Sequence, residues 1–148
     1  MAGSSVDRVA ARRSTTFDEL SAVTELEDVT FLEVSGRRLF DQQEPRTDAD
    51  SRTTLSVWLR GGDDGTTLEV RCRLELGSAQ ADFAVDAAAA FSVRAPFELT
   101  PEVQQEFLDR IGVTVLYPYL REALQGTAAK LGVDTPVLSL RGPGQGAR

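Results

Sequence analysis

A chain of 148 residues with no histidine forgoes most ready-made protein chemistry. Imidazole triads, imidazole metal sites and the proton shuttle that titrates near neutrality all fall away. The single cysteine, Cys72, can form neither an intrachain disulfide nor a cysteine-cluster zinc site. It stands between Val70 and Leu74 in an alternating stretch, where a thiol is a small core residue rather than a nucleophile. Gly61, Gly62 and Gly65 with Asp63 and Asp64 make a glycine-rich run. No helix follows it and no P-loop Lys-Ser/Thr closes it, so it reads as a hairpin turn and not a phosphate cradle. Asp63 and Asp64 are adjacent carboxylates in an open turn and read as solvated. Arg71 and Arg73, between Glu69 and Glu75, read as cross-strand ion pairs on a wet sheet face. The residue types point to no enzyme, no cofactor and no metal. They point to apolar binding.

The candidates for that binding are large side chains that no core pattern claims. Trp58 points away from Leu55, Val57 and Leu59 on its strand. Leu39 and Phe40 open a long charged connection, where adjacent apolar residues lack an obvious partner. Tyr117 and Tyr119 flank Pro118. With Phe31, these six residues are the expected lining of an apolar groove. The alternative reading leaves Trp58 alone exposed and puts Phe31 and both tyrosines in the core.

The elements that must hold these groups follow from periodicity. One domain is expected from the length, and 41% hydrophobic with 26% charged residues is ordinary for a soluble protein. A net charge of −7 disfavours a grip on nucleic acid. No apolar run approaches the roughly 20 residues that a membrane helix needs. Residues 1–16 lack an apolar core and read as a disordered leader. A short helix is expected over 17–27 and a first strand from Asp28 to Gly36. Residues 37–52 form a long polar connection. Alternation then predicts strands over 54–60, 67–76 and 82–93, separated by glycine-containing turns. In the third and fourth strands Leu68, Val70, Cys72, Leu74 and Leu76, then Phe83, Val85, Ala87, Ala89, Phe91 and Val93, share one face. Sequential strands joined mainly by turns imply an antiparallel sheet.

Helices must cover its apolar face. Thr100 is a suitable N-cap and Pro101 a suitable first residue. Val103, Phe107, Ile111 and Val115 recur every fourth residue, predicting a helix over 101–116. Pro118 predicts a break, with a second helix starting between Val113 and Pro118. That helix carries Leu120, Leu124, Ala128 and Leu131, with Gly132 in the C′ position. The fold class is α+β, a four-stranded antiparallel sheet with C-terminal helices packed on one face. The domain is expected over 17–140, with a flexible basic tail over 141–148.

The segment Leu-Tyr-Pro-Tyr-Leu-Arg-Glu over 116–122 is followed by a helix, a glycine and a Pro-x-Leu-x-Leu tail from Pro136 to Leu140. It resembles the Leu-Phe-Pro-Tyr-Ala-Arg-Glu box and the Pro-x-Leu-x-Leu segment of the SecB family of export chaperones. The entry from Thr24 to Phe31 is similar to the family's first strand. Leu74 to Gly77 with the strand over 81–93 resembles its third and fourth. The resemblance runs from about Thr24 to Leu140.

It implies a cytoplasmic, ATP-independent holdase that keeps unfolded polypeptides in apolar grooves, with the six residues above as the client-binding candidates. It implies a homotetramer. The apolar load of the helix over 101–116 makes Phe107, Ile111 and Val115 the expected contacts between copies, unless they complete the protomer core. It also implies a motor-binding acidic sheet face, for which Asp28, Glu33, Glu69 and Glu75 are the candidates. Leu32 and Ser78 stand where the family carries acids, which leaves docking of a SecA-type motor open. The other readings are a chaperone dedicated to a toxin–antitoxin system, and an α+β module binding a small apolar ligand.

Overall fold

The computed structural model describes residues 15–40, 46–47 and 51–138. The three strands predicted from alternation lie where expected, while the helix expected over 17–27 ends at Val23, where the first strand takes over. β1 spans Thr24–Arg38, β2 Arg52–Gly61, β3 Thr67–Gly77 and β4 Ala81–Val93. All pairings are antiparallel, in the order β1-β4-β3-β2. The two strands with the most regular patterns, β3 and β4, are therefore central and bury every second side chain. β1 and β2 are the edges, and the connection between them crosses from one edge of the sheet to the other. β1 is longer at both ends than the span from Asp28 to Gly36 suggests. Of the expected leader, residues 1–14 lie outside the described residues, as does the expected tail over 141–148. Thr15 and Thr16 depart from the disordered reading. Thr15 donates its backbone N–H to the Glu98 carbonyl, and Thr16 caps α1 (Phe17–Val23) in a reciprocal capping box with Glu19.

Helices cover one face of the sheet. α2 (Pro101–Phe107) starts as expected, with the Val103 N–H donating to Thr100 Oγ1 at 3.3 Å and Pro101 in the first turn. A single wide π-type turn, Leu108–Gly112, leads into α3 (Val113–Leu131). α3 ends at Gly132, whose φ of 66° is left-handed. The second helix starts at Val113, within the expected 113–118 interval, but Pro118 lies in its second turn and does not itself mark a break. Proline deprives only the Thr114 carbonyl of its donor, and Thr114 and Pro118 are both exposed, so solvent can satisfy that carbonyl. The irregularity falls in the π-type turn instead. Gly112 is what lets this turn rest on the sheet, since a Cβ there would lie 2.7 Å from Val70 Cγ1.

From β3 at Gly112, α3 crosses β4 and reaches β1, where Gly36 leaves room for Thr127 and Leu131. Its stripe of Leu116, Leu120, Leu124 and Ala128 is buried. Phe107 corrects the sequence reading. It is fully buried within the protomer, edge-on to Phe91 with ring centroids 5.3 Å apart, and so is not open to another copy. Ile111 and Val115 stay half-buried at the rim of the core, near the side of β2 where Leu55, Val57 and Leu59 are also only partly covered. Among the described residues, no helix is long and apolar enough to cross a membrane.

Candidate functional site

β1 does not alternate simply. Its register against β4 slips at two bulges, where Glu27 and Leu32 are the extra residues. Each bulge returns the following apolar residue to the helix-covered face. Leu26, Val29, Phe31, Val34 and Gly36 pair with Phe91, Ala89, Ala87, Val85 and Phe83, all on the buried face of β4. β1 is an edge strand and α3 covers only part of it, so Leu26, Phe31 and Val34 are 41–47% exposed. Tyr119 of α3 closes the strip from the helix side, edge-on to Phe31 with centroids 6.5 Å apart. Beyond the end of β1 the Leu39 N–H donates to the Gln80 carbonyl, and Phe40 is 73% exposed. The Arg38 guanidinium lies 5.6 Å from the Phe40 ring centroid and donates to the Leu131 carbonyl at 3.1 Å, tying Phe40 to the end of α3. The result is an apolar strip along the β1–α3 seam, from Leu26 past Phe31 and Tyr119 to Phe40.

The six groove candidates thus divide. Phe31 and Tyr119 meet, and Leu39 and Phe40 continue the same edge. Tyr117 and Trp58 do not join them. Residues two apart on a helix point about 200° apart, so Tyr117 lies across α3 from Tyr119. Its hydroxyl is buried with no hydrogen-bond partner among the described residues, and burial pushes its pKa up. Trp58 lies on the far edge and the opposite face of the sheet, with the Arg71 guanidinium 5.4 Å from its ring centroid. Leu26 and Val34 were not legible as lining residues, because a reading by strict alternation cannot see two bulges.

The face without helices carries a charge ladder. Asp86, in the central strand, is 1% exposed on this open face. Arg71 holds it in a fork, with Nε at 2.9 Å from Oδ1 and Nη2 at 2.6 Å from Oδ2. Arg73 adds Nη1 at 3.3 Å from Oδ2, and also binds Glu33 at 2.8 Å and Glu75 at 3.0 Å. All four acids expected to receive a basic partner do lie on this face. Arg73 engages Glu33 and Glu75, and Arg60 lies 3.4 Å from Glu69. Asp28 is the one of the four without a cation among the described residues; the Thr30 hydroxyl donates to it at 3.2 Å.

The arginine fork holds the Asp86 carboxyl below the usual carboxylate range, against the opposing effect of its burial. A depressed native pKa stabilises the fold above the unfolded value of about 3.9, and that stability is lost as pH falls through the native value. Asp86→Asn is therefore expected to cost on the order of 1–2 kcal/mol near neutral pH, limited because Arg71 stays half-solvated. The gap from wild type should close as pH drops below about 4 in urea titrations at a series of pH values. A gap independent of pH would mean that the ion pairs do not stabilise the sheet. Cys72 lies at 0% exposure on the other face, its thiol pushed up to about 12 by burial, as a core residue and not a nucleophile.

Comparison with known proteins gives one close sequence relative. The chain is 33% identical over 135 residues to the SecB-like chaperone SmegB of Mycolicibacterium smegmatis, covering 91% of this chain and 87% of the relative. No family model matches. Among solved structures, the fold is similar to a Mycobacterium tuberculosis SecB-like chaperone in complex with a ChAD peptide from the HigA1 antitoxin. The TM-score is 0.67 at 16% identity, over 93% of this chain and 98% of that one. A Streptococcus agalactiae protein of unknown function shares the fold at a TM-score of 0.51 and 10% identity, over 79% of this chain and 97% of that one.

Proposed function

This chain belongs to the SecB-like chaperone family, and we propose that it is an ATP-independent holdase whose clients lie along the β1–α3 seam. The observation that carries this reading is the exposed strip of Leu26, Phe31, Val34, Tyr119 and Phe40. Such a strip has apolar side chains at intervals and almost no fixed polar code, which suits unfolded segments of varied sequence. Holding a client in this way makes and breaks no bond, and so needs neither a catalytic group nor a cofactor. The half-buried Ile111 and Val115 support assembly with further copies, which this reading takes to be a homotetramer acting in the cytoplasm. Delivery to a SecA-type motor would fall chiefly on Asp28, since Glu33 and Glu75 already serve Arg73.

The test is suppression of aggregation of a chemically unfolded model protein at micromolar chaperone. Protection without ATP, unchanged when ATP is added, is the expected result. Aggregation as fast as with an inert control protein would reject the reading. One observation favours a narrower second reading, a chaperone serving a toxin–antitoxin pair: the solved neighbour holds an antitoxin peptide. A toxin and an antitoxin encoded beside this chain, with the antitoxin bound far more tightly than general clients, would select it.

A further inference from the structure

Unpaired charge is segregated along the strands of the open sheet face, since Arg60 offsets Glu69 at the acidic end. Toward one end lie Glu25, Asp28 and Glu69, with Glu27 reaching over to accept from the Ser92 hydroxyl at 2.7 Å. The middle is the Asp86 ladder, where each arginine meets a carboxylate. At the other end two rows of paired residues, Ser35–Ala84–Glu75–Thr54 and Arg37–Asp82–Gly77–Arg52, underlie an open hollow of about 830 Å³. Its floor combines small side chains such as Ser35, Thr54 and Ala84 with the Glu75 and Asp82 carboxylates, and its rim is Arg37, Arg46 and Arg52. Arg46 forks onto Asp82, and Glu75 is taken by Arg73. Arg37 and Arg52 are both exposed and have no ionic partner among the described residues.

We infer that this hollow is a second docking surface, which takes an extended acidic peptide segment. The unpaired Arg37 and Arg52 guanidinium groups at one hollow, whose own carboxylates Asp82 and Glu75 are already held by Arg46 and Arg73, are complementary to further carboxylates. Arg37 and Arg52 stand on strands three inter-strand steps apart, about 14 Å. An extended chain covers that distance in about four residues, with alternate side chains on one face. The fitting segment therefore carries acids at every second position, as in Asp-x-Asp-x-Asp. The −7 net charge opposes any polyanion, and a nucleic-acid strand longer than the hollow would run on over the acidic end of the sheet face, which a five-residue segment does not reach. This surface is on the opposite side of the sheet from the β1–α3 seam and does not depend on the holdase reading.

The probe is a fluorescein-labelled peptide containing Asp-Ser-Asp-Ser-Asp, followed by anisotropy at about 50 mM salt. The expected result is saturable binding that weakens with added salt, is absent for the Asn-Ser-Asn-Ser-Asn counterpart, and falls at least about tenfold in Arg37→Gln/Arg52→Gln. That variant should keep its circular dichroism spectrum and its protection of an unfolded client. No binding at about 1 mM protein overturns the inference. So does equal binding of the asparagine peptide, or binding undiminished in the folded double variant. A short oligonucleotide bound as tightly, and lost in the same variant, would overturn the peptide assignment in favour of phosphate. Loss of client protection in the folded variant would refute a separate second surface.

Discussion

Phe107→Ala is expected to cost the protomer about 3–5 kcal/mol, the range for truncating a fully buried phenylalanine. Phe107 packs edge-on against Phe91 at the centre of the larger core, between α2 and the sheet. Removing it leaves a void lined by rigid strands on one side, and a cavity that cannot collapse gives the high end of the range. The residue's place within the protomer decides the form of the result. Urea denaturation should show a lower midpoint at every protein concentration. Ile111→Asp, at the half-buried rim, should instead dissociate the proposed assembly at a concentration where the protomer stays folded. A Phe107→Ala chain that merely dissociates, with an unchanged protomer midpoint, would show that the ring serves contacts between copies.

Phe31→Ser/Tyr119→Ser is expected to abolish most client protection while leaving the fold in place. Both side chains are about 40% exposed, and their contact is with each other across the β1–α3 seam. Each is still more than half buried, so their truncation costs the fold on the order of 3 kcal/mol, and protection is read on the variant once its circular dichroism shows it folded. For a client laid along the seam, the same change removes the two aromatic groups in the middle of the strip. Two anchoring aromatics at an interface typically carry about 2 kcal/mol each or more, so apparent client affinity should fall by several hundredfold. Trp58→Ser should leave protection near wild type, because Trp58 lies on the other face. Full protection by the folded Phe31/Tyr119 variant would move the client site elsewhere.

The sheet was legible because β3 and β4 alternate without interruption, and the antiparallel α+β arrangement follows from turns such as that over 61–65. The covering helices were legible from Thr100, Pro101 and Gly132. What was not legible has particular causes. The phase of β1 is set by bulges at Glu27 and Leu32, which show only when the strand is laid against β4. Pro118 reads as a breaker because the rule concerns an unsatisfied carbonyl, and here that carbonyl belongs to an exposed residue. The wide turn that does interrupt the helix is marked in sequence only by Gly112, whose role depends on Val70 beneath it. Alternation turns Asp86 and Trp58 to the polar face correctly. It cannot reveal that two arginines bury Asp86 or that Arg71 lies against Trp58. Tyr117 and Tyr119 look equivalent beside Pro118, and only an unbroken α3 separates their directions.

Clients held along the β1–α3 seam, and not on the opposite sheet face, can be located by cross-linking. The most direct measurement places a photo-reactive phenylalanine analogue at position 31 in one variant and at position 58 in another. Each is irradiated with an unfolded model client, and cross-linked adducts are quantified. The seam account predicts strong adducts from position 31 and none above background from position 58. Adducts from position 58, with none from position 31, would contradict it.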